Sequence, residues 1–411
     1  MKEILNRVLD EIKPTREDEE KILDIINNVV SKLNKNLRKA RAELGGSGAK
    51  GTWLREAYDA DIFVRFDYKE YSEKSDELSE ILQKTMKKCK FQFLRLHGSR
   101  DYFQIKKGGF TIEIIPILNI RKSSMAKNIT DASPLHTAFV KKYKDLRDEI
   151  RLAKQFCKSN NVYGAESYIQ GFSGYVIEIL VIYYGGFLEL LRSSKRWGDK
   201  QVIDLKNYHN NVFMEINKSK LESPLIVIDP VDPRRNVAAA LGKEKYSIFL
   251  DKAEMFLKKP NKQYFEIEKI DAIKLKKRYK GKNLILVEAE GLEGKEDVVG
   301  SKLRKAYEHI LDGLKDFEVK ESNWSWDFKR AIFWYVSSRK EIDKIEIKEG
   351  PPVKIKDHTK NFIKRYRNSY INKGRVYAKV KRKYYKINDV VKVLLKEKYV
   401  KEKVKAIKHV K

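Results

Sequence analysis

Apolar residues recur at steps of three and four along the first segment: Leu5, Val8 and Leu9, then Ile22, Ile25, Ile26, Val29 and Leu33. That spacing predicts helix over residues 3–44, divided in two by Pro14. Gly45, Gly46, Ser47 and Gly48 end the pattern, and residues 61–66 then carry the β-branched and aromatic side chains of a strand. A second strand is expected at 110–115, stopped by Pro116. Helix, glycine turn and strands make an α+β unit ending near residue 130. Residues 141–256 read as mainly helical, and their most apolar stretch, 176–191, as a buried helix. Glu178, Gly185 and Glu189 interrupt that stretch too often for a bilayer span. Beyond Lys258, β-type runs at 284–287 and 345–347 alternate with a helix around 302–314. No fixed-period repeat is visible. The pattern predicts an α+β multidomain protein with segments 1–140, 141–258 and 259–411.

Within residues 59–66 the alternation places Asp59, Asp61, Phe63 and Arg65 on one face of a strand and Ala60, Ile62, Val64 and Phe66 on the other. One face is dry and the other charged. Carboxylates at i and i+2 lie about 6.6 Å apart at Cα and can converge on divalent cations, and paired metals serve phosphoryl and nucleotidyl transfer. Hard cations such as Mg²⁺ take oxygen ligands, so a third carboxylate is expected. Glu113 supplies it, since Ile112 and Ile114 alternate with it toward the core. The preceding turn fails the P-loop pattern, because Lys50, Gly51 and Thr52 stand in the wrong order with helix before them. It remains a turn whose backbone N–H groups and Ser47 hydroxyl hold phosphate oxygens, with Lys50 as a nearby cation.

Composition narrows the partners. The 411 residues hold 88 Lys+Arg against 58 Asp+Glu, a formal charge of 88 − 58 = +30, which favours polyanions. Nucleic acid leads over an anionic membrane surface. The 42% of hydrophobic residues is enough to fill real cores. Only Cys89 and Cys157 occur, and the six His are not spaced as metal ligands, so a disulfide or zinc scaffold is excluded. A cytoplasmic, reducing setting fits, and the charged start predicts no export.

Gly46-Ser47, then Asp59-x-Asp61 and a later strand carboxylate, resemble the signature of polymerase-β-like nucleotidyltransferases. Further segments narrow this: 131–137 (DASPLHT), 162–166 (VYGAE), 171–175 (GFSGY) and 229–240 (DPVDPRRNVAAA) are similar to the archaeal, class I CCA-adding enzymes. Gly350-Pro351-Pro352 and Lys373-Gly374-Arg375 are weaker echoes. The resemblance implies a polymerase-β-like palm, a helical central domain and C-terminal RNA-binding modules. It implies stepwise addition of C, C and A to tRNA from CTP and ATP, with Asp59, Asp61 and Glu113 holding Mg²⁺. Ser47, Lys50, His136, Lys154 and Tyr163 match triphosphate-binding positions, and Arg235 the arginine that helps judge the incoming base. Glu113 stands where Asp is more usual, and Lys50 where Arg is frequent, which removes Arg's bidentate fork.

Residues 353–386 carry 13 Lys+Arg against one acid, Asp357, a local charge of 13 − 1 = +12. This segment, with Lys364, Arg365, Arg367 and Arg375, is assigned to the acceptor and T-arm backbone of tRNA, read by shape. Phe362, Tyr366 and Tyr370 would form one helical stripe. Residues 396–411 are expected to order on RNA, and Trp324, Trp326, Phe328, Phe333 and Trp334 to be module core. The pattern leaves room for a homodimer. Rival readings are another enzyme of the same superfamily, such as a poly(A) polymerase, and a non-catalytic RNA-binding protein.

Overall fold

Pro14 separates two helices, as its fixed φ and missing N–H require. α1 (Lys2–Ile12) ends before it, and α2 (Arg16–Asn34) starts on Thr15 through a capping box. The Thr15 hydroxyl accepts from the Asp18 N–H, and the Asp18 carboxylate from the Thr15 N–H. The helix expected to reach residue 44 stops at Asn34. Residues 40–44 form β1 (Ala40–Leu44) instead, because antiparallel pairing with β2 (Asp59–Phe66) overrides local propensity. The Asn34 amide fixes the change by bonding both the N–H and the carbonyl of Ala42. The structure, a computed structural model, describes residues 1–55 and 59–410 and divides into two compact units, Met1–Glu268 and Lys269–Lys411.

Between β1 and β2 lies the short helix α3 (Gly46–Lys50), and after β2 come α4 (Tyr68–Tyr71) and α5 (Leu78–Lys88). β3 (Leu94–Leu96), β4 (Tyr102–Lys107) and β5 (Phe110–Leu118) complete a mixed sheet of order β1-β2-β5-β4-β3, in which β2 and β5 are parallel. Its dry face is the one the alternation predicted. Ala60, Ile62, Val64, Phe66, Phe103, Ile105, Ile112 and Ile114 bury against Ile22, Ile26, Val29 and Leu33 of α2 and Leu78, Leu82 and Met86 of α5.

Pro116 does not stop β5, which runs two residues further. Its carbonyl accepts from Arg100 at 3.1 Å, so its peptide edge faces the side where β4 has run out and a missing N–H costs no ladder bond. On that side the Leu118 N–H donates to Asp131 at 2.9 Å, and the buried Arg100–Asp131 pair closes the corner.

The rest of the first unit is α6 (Ser133–Val140), α7 (Arg147–Ser159), α8 (Gly174–Tyr184), α9 (Phe187–Ser194), α10 (Val212–Glu215) and α11 (Lys243–Lys258). Among them lies a small sheet of β6 (Gln201–Ile203), β7 (Leu225–Asp229) and β8 (Asp232–Asn236), which helical periodicity did not reveal. The single buried helix expected at 176–191 is two, α8 and α9, bent by 89° at Gly185 and Gly186. Both pack into a core with Phe156, Phe172, Phe249 and Phe256. Among the described residues no single helix is long and apolar enough to cross a membrane.

The second unit holds α12 (Ala272–Arg278), β9 (Asn283–Glu290), α13 (Glu296–Gly313), β10 (Val319–Trp326) and β11 (Arg330–Ser337). β12 (Ile345–Pro352), α14 (Lys356–Arg365), β13 (Ser369–Asn372) and β14 (Arg375–Lys381) form a smaller layer, followed by α15 (Ile387–Leu394), α16 (Lys398–Lys401) and β15 (Ala406–Val410). Two expectations fail here. Tyr366 caps α14 and Tyr370 lies on β13, so the aromatic stripe does not form; Tyr370 stacks on Tyr377 of β14 at 5.8 Å instead. The described part of the basic tail is an integral part of the fold rather than a loose extension, because β15 pairs with β9 and Val400 and Val404 enter the core. Trp324, Trp326, Phe333 and Trp334 do belong to core clusters, whereas Phe328 is exposed.

Candidate active site

The charged face of the first sheet is built by register. Asp61 lies directly across from Glu113 on the parallel strand β5, with Asp59 two residues before it, so all three carboxylates project from one face. Gln104 of β4 is the next position across from Glu113, and Arg65 at the far end of the face pairs with Glu43 at 2.8 Å. The glycine turn is tied to this face. Gly45 N–H donates to the Asp61 carbonyl at 2.8 Å, and Gly46 has a left-handed φ of 53°. A Cβ on Gly46 would fall 1.6 Å from Asp61 Oδ2, so only glycine lets the bend close on that carboxylate. Ser47 follows in the first turn of α3.

Burial pushes the Asp61 carboxyl up to about 6, the negative charge of Asp59 adds to the rise, and Lys50 opposes it. Hard oxygens and a strained like-charge pair suit a divalent cation. Among the described residues no three acidic, imidazole or thiol side chains close into a ready cation cage, so the three carboxylates share a face without forming one.

Lys50 and Lys154 point elsewhere than open triphosphate ligands would. Lys50 Nζ meets Glu178 Oε2 of α8 at 2.7 Å, and Lys154 Nζ of α7 meets Glu178 Oε1 at 2.7 Å and the Thr52 hydroxyl at 3.0 Å. Thr52 in turn donates to Glu178. Glu178 is 1% exposed; burial works against its charge, yet Lys154 and Lys50 outweigh it and hold the carboxyl down at about 2.

A second buried carboxylate, Asp229 at the end of β7, collects the remaining polar groups. His136 Nε2 donates to Oδ2 at 2.9 Å, the Tyr175 hydroxyl to Oδ1 at 3.1 Å and the Val231 N–H to Oδ1 at 3.0 Å, while Arg235 Nη1 lies 3.5 Å from Oδ2. Burial opposes this charge too, but His136 and Arg235 keep the carboxyl below its usual range. Arg235 then reaches from Asp229 into a 610 Å³ cleft also lined by Lys127, Ser173, Lys220 and Arg234. Tyr163 sets its hydroxyl against Gly174, the first residue of α8. Burial and the charges of Glu178 and Asp59 hold that phenol protonated.

The structure thus sets Asp59, Asp61 and Glu113 on one sheet face beside the bend that leads into Ser47, gathers Lys50 and Lys154 on Glu178, and gathers His136 and Arg235 on Asp229. The two anchors were missed as functional residues, although Glu178 carried a signal: it is the lone charge in an otherwise apolar helix, GYVIEILVIYY. The basic residues of the second unit lie apart from this set by sequence and form their own surface. Lys364, Arg365 and Arg367 are exposed at the end of α14, Arg365 lies over the Tyr366 ring at 5.5 Å, and Arg375 pairs with Glu349 at 2.8 Å.

Three family profiles match the chain: nucleotidyltransferase domain at residues 23–136, tRNA nucleotidyltransferase second domain at 148–266, and CCA-adding enzyme C-terminal domain at 280–410. The chain is 33% identical to the CCA-adding enzyme of Nanoarchaeum equitans over 93% of its length and 94% of the relative's. It is equally 33% identical to that of Methanocaldococcus jannaschii, over 95% and 90%. Among solved structures, the Cid1 poly(U) polymerase superposes with a TM-score of 0.53 at 15% identity, covering 65% of this chain and 98% of that one, a likeness of fold.

Proposed function

The chain belongs to the archaeal-type CCA-adding enzymes of the nucleotidyltransferase superfamily, and from that premise we propose that it extends the 3′ end of tRNA with C, C and A. It takes CTP and ATP, releases pyrophosphate and uses no nucleic-acid template. The observation that carries this reading is the Asp61 carboxylate. It is in register with Glu113, beside Asp59, closed upon by Gly46 and raised to about 6 by burial and like charge. Such a group gains most from a cation. Asp59, Asp61 and Glu113 are the residues that would hold Mg²⁺, which usually keeps one or two carboxylates plus substrate phosphates rather than an all-protein cage. When bound, a pair of such ions acidifies the RNA 3′-hydroxyl and offsets the charge of the triphosphate and of the leaving pyrophosphate.

The chain's own side chains do the positioning. Ser47 and the first N–H groups of α3 donate to phosphate oxygens beside Asp61. Lys50 and Lys154, held by Glu178, set positive potential behind the triphosphate, and His136 and Tyr163 complete its polar wall. Arg235 projects from Asp229 toward the incoming base. Residues 1–140 are then the catalytic domain, 141–258 the nucleotide-facing helical domain, and 259–411 the modules that grip the acceptor and T-arm backbone through Lys364, Arg365, Arg367 and Arg375. The reaction belongs to the cytoplasm.

The test uses tRNA lacking its terminal CCA, with Mg²⁺, CTP and ATP, and product length read on a sequencing gel. Addition that stops after three residues is expected. An open-ended A tail would overturn the reading in favour of a poly(A)-type enzyme, and absence of any incorporation in favour of a non-catalytic binder.

A further inference from the structure

Tyr175 joins the two buried anchors. It stands in the first turn of α8, three residues before Glu178, so both side chains leave the same face of one helix. Lys50, which Glu178 holds, lies over the Tyr175 ring at 5.3 Å. The His136 ring packs against the same ring, 4.2 Å between centroids at 33°. The Tyr175 hydroxyl donates to Asp229, the carboxylate that holds His136 and Arg235. Burial and the Asp229 charge keep this phenol protonated and therefore a donor. An unbroken path of contacts consequently runs from Lys50 Nζ, through one aromatic ring and one hydroxyl, to Asp229 and the guanidinium of Arg235.

We propose that Tyr175 is a positioning residue that couples the cation beside the triphosphate, Lys50, to the guanidinium beside the base, Arg235, so that the two ends of a nucleotide are judged together rather than independently. A nucleotide whose base draws Arg235 outward removes part of the counter-charge from Asp229, which strengthens the hydrogen bond that Asp229 accepts from the Tyr175 hydroxyl and so moves the ring on which Lys50 rests. Asp229 at the centre of this path is fully buried and Tyr175 and His136 are largely so, which screens such changes less than open solvent would. The coupling needs both halves of the tyrosine. The ring alone reaches Lys50 and His136, and the hydroxyl alone reaches Asp229.

The proposal rests on the reading of this cleft as the nucleotide site, and its test separates the two. Dissociation constants for CTP are measured by calorimetry on the full chain for K50M, R235M and the double variant, in the parent background and again with Tyr175→Phe. The phenylalanine keeps the ring and removes only the hydroxyl. K50M and R235M are expected to depart from additivity by about five-fold or more in the parent, and to become additive with Y175F. A merely structural tyrosine would lower the melting temperature and leave that non-additivity in place, which would overturn the inference. So would additivity in the parent. Failure of the unsubstituted chain to bind CTP would remove the reading of the site and this inference with it. Should K50M or R235M unfold the chain, the milder K50R and R235K complete the same cycle, with non-additivity lost in Y175F again supporting the coupling and non-additivity retained again overturning it.

Discussion

Two carboxylates in the first unit, Asp61 half-buried and Glu178 fully buried, titrate in opposite directions, and their neighbours explain why. Asp61 and Glu178 are both subject to burial, which raises a carboxyl wherever it acts. Around Asp61 the charge that weighs most is that of Asp59, and the carboxyl rises to about 6. Around Glu178 stand two ammonium groups, and the carboxyl falls to about 2. The fold therefore finishes one charge and leaves the other unfinished. A finished charge holds other side chains in place, as Glu178 does for Lys50, Lys154 and Thr52. An unfinished one is waiting for something from outside the chain, and a row of hard oxygens beside a glycine bend asks for a cation carrying phosphate.

The sharpest way to break this contrast is to neutralise each carboxylate. Asp61→Asn removes a ligand from the reacting centre. It should cost about 10³-fold or more in nucleotide incorporation, since several kcal/mol of charge stabilisation are at stake and each 1.36 is tenfold. Affinity for tRNA should stay near that of the parent. Retained incorporation would show that Asp61 is not at the centre. Glu178→Gln should do something different. It leaves two buried ammonium groups without their counter-charge and should destabilise the chain by about 3 kcal/mol in urea unfolding. D61N, by relieving a like-charge clash at a partly solvated site, should instead stabilise the metal-free chain by about 1 kcal/mol.

The same contrast predicts opposite pH dependences. The folded Asp61 carboxyl binds its proton more tightly than in the unfolded chain, so its contribution is fully present below about pH 4. That contribution is lost as pH rises through about 6. The folded Glu178 carboxyl binds its proton less tightly, so its contribution is present above about pH 4.5 and is lost as pH falls toward about 2. Melting temperatures between pH 3 and 8 should therefore depart from the parent in opposite senses: D61N gains on the parent as pH rises from about 4 through about 6, whereas E178Q lies below the parent above about pH 4.5 and approaches it as pH falls toward about 2. Mg²⁺ should restore stability on the upper limb in the parent, by about 2.7 kcal/mol at a hundred times its dissociation constant, and not in D61N. Identical profiles for both variants would mean that the two carboxylates share one environment.

Much of the carboxylate face was legible from the chain because strand alternation is local: eight residues suffice to put Asp59, Asp61 and Arg65 on one side of four apolar ones. The turn was legible because two adjacent glycines have few uses. Pairing across distance was not. Residues 40–44 read as a continuation of helix, since nothing nearby records that β2 will lie alongside them. Lys50 read as an open cation because its partner Glu178 comes 128 positions later. The same limit explains Pro116, whose neighbour strand ends before reaching it, and the basic tail, whose β15 finds its partner in β9. Glu178 was visible all along as a charge in an apolar helix, yet a sequence gives no means of telling an anchor from a misplaced surface residue.

The basic surface of the second unit extends the comparison to charges finished only by a large partner. Arg375 already has Glu349, whereas Lys364 and Arg367 are exposed at the end of α14. Each contact of that exposed kind with RNA phosphate releases counterions and steepens the salt dependence of binding. Replacing Lys364, Arg365 and Arg367 together with Gln should reduce the slope of log affinity for tRNA against log salt by about 2 to 3. Stability should stay nearly unchanged, because exposed charges contribute little to folding. Filter binding at salt concentrations from about 50 to about 300 mM measures the slope. An unaltered slope would place the phosphate contacts on other side chains and leave the +12 segment without its proposed partner.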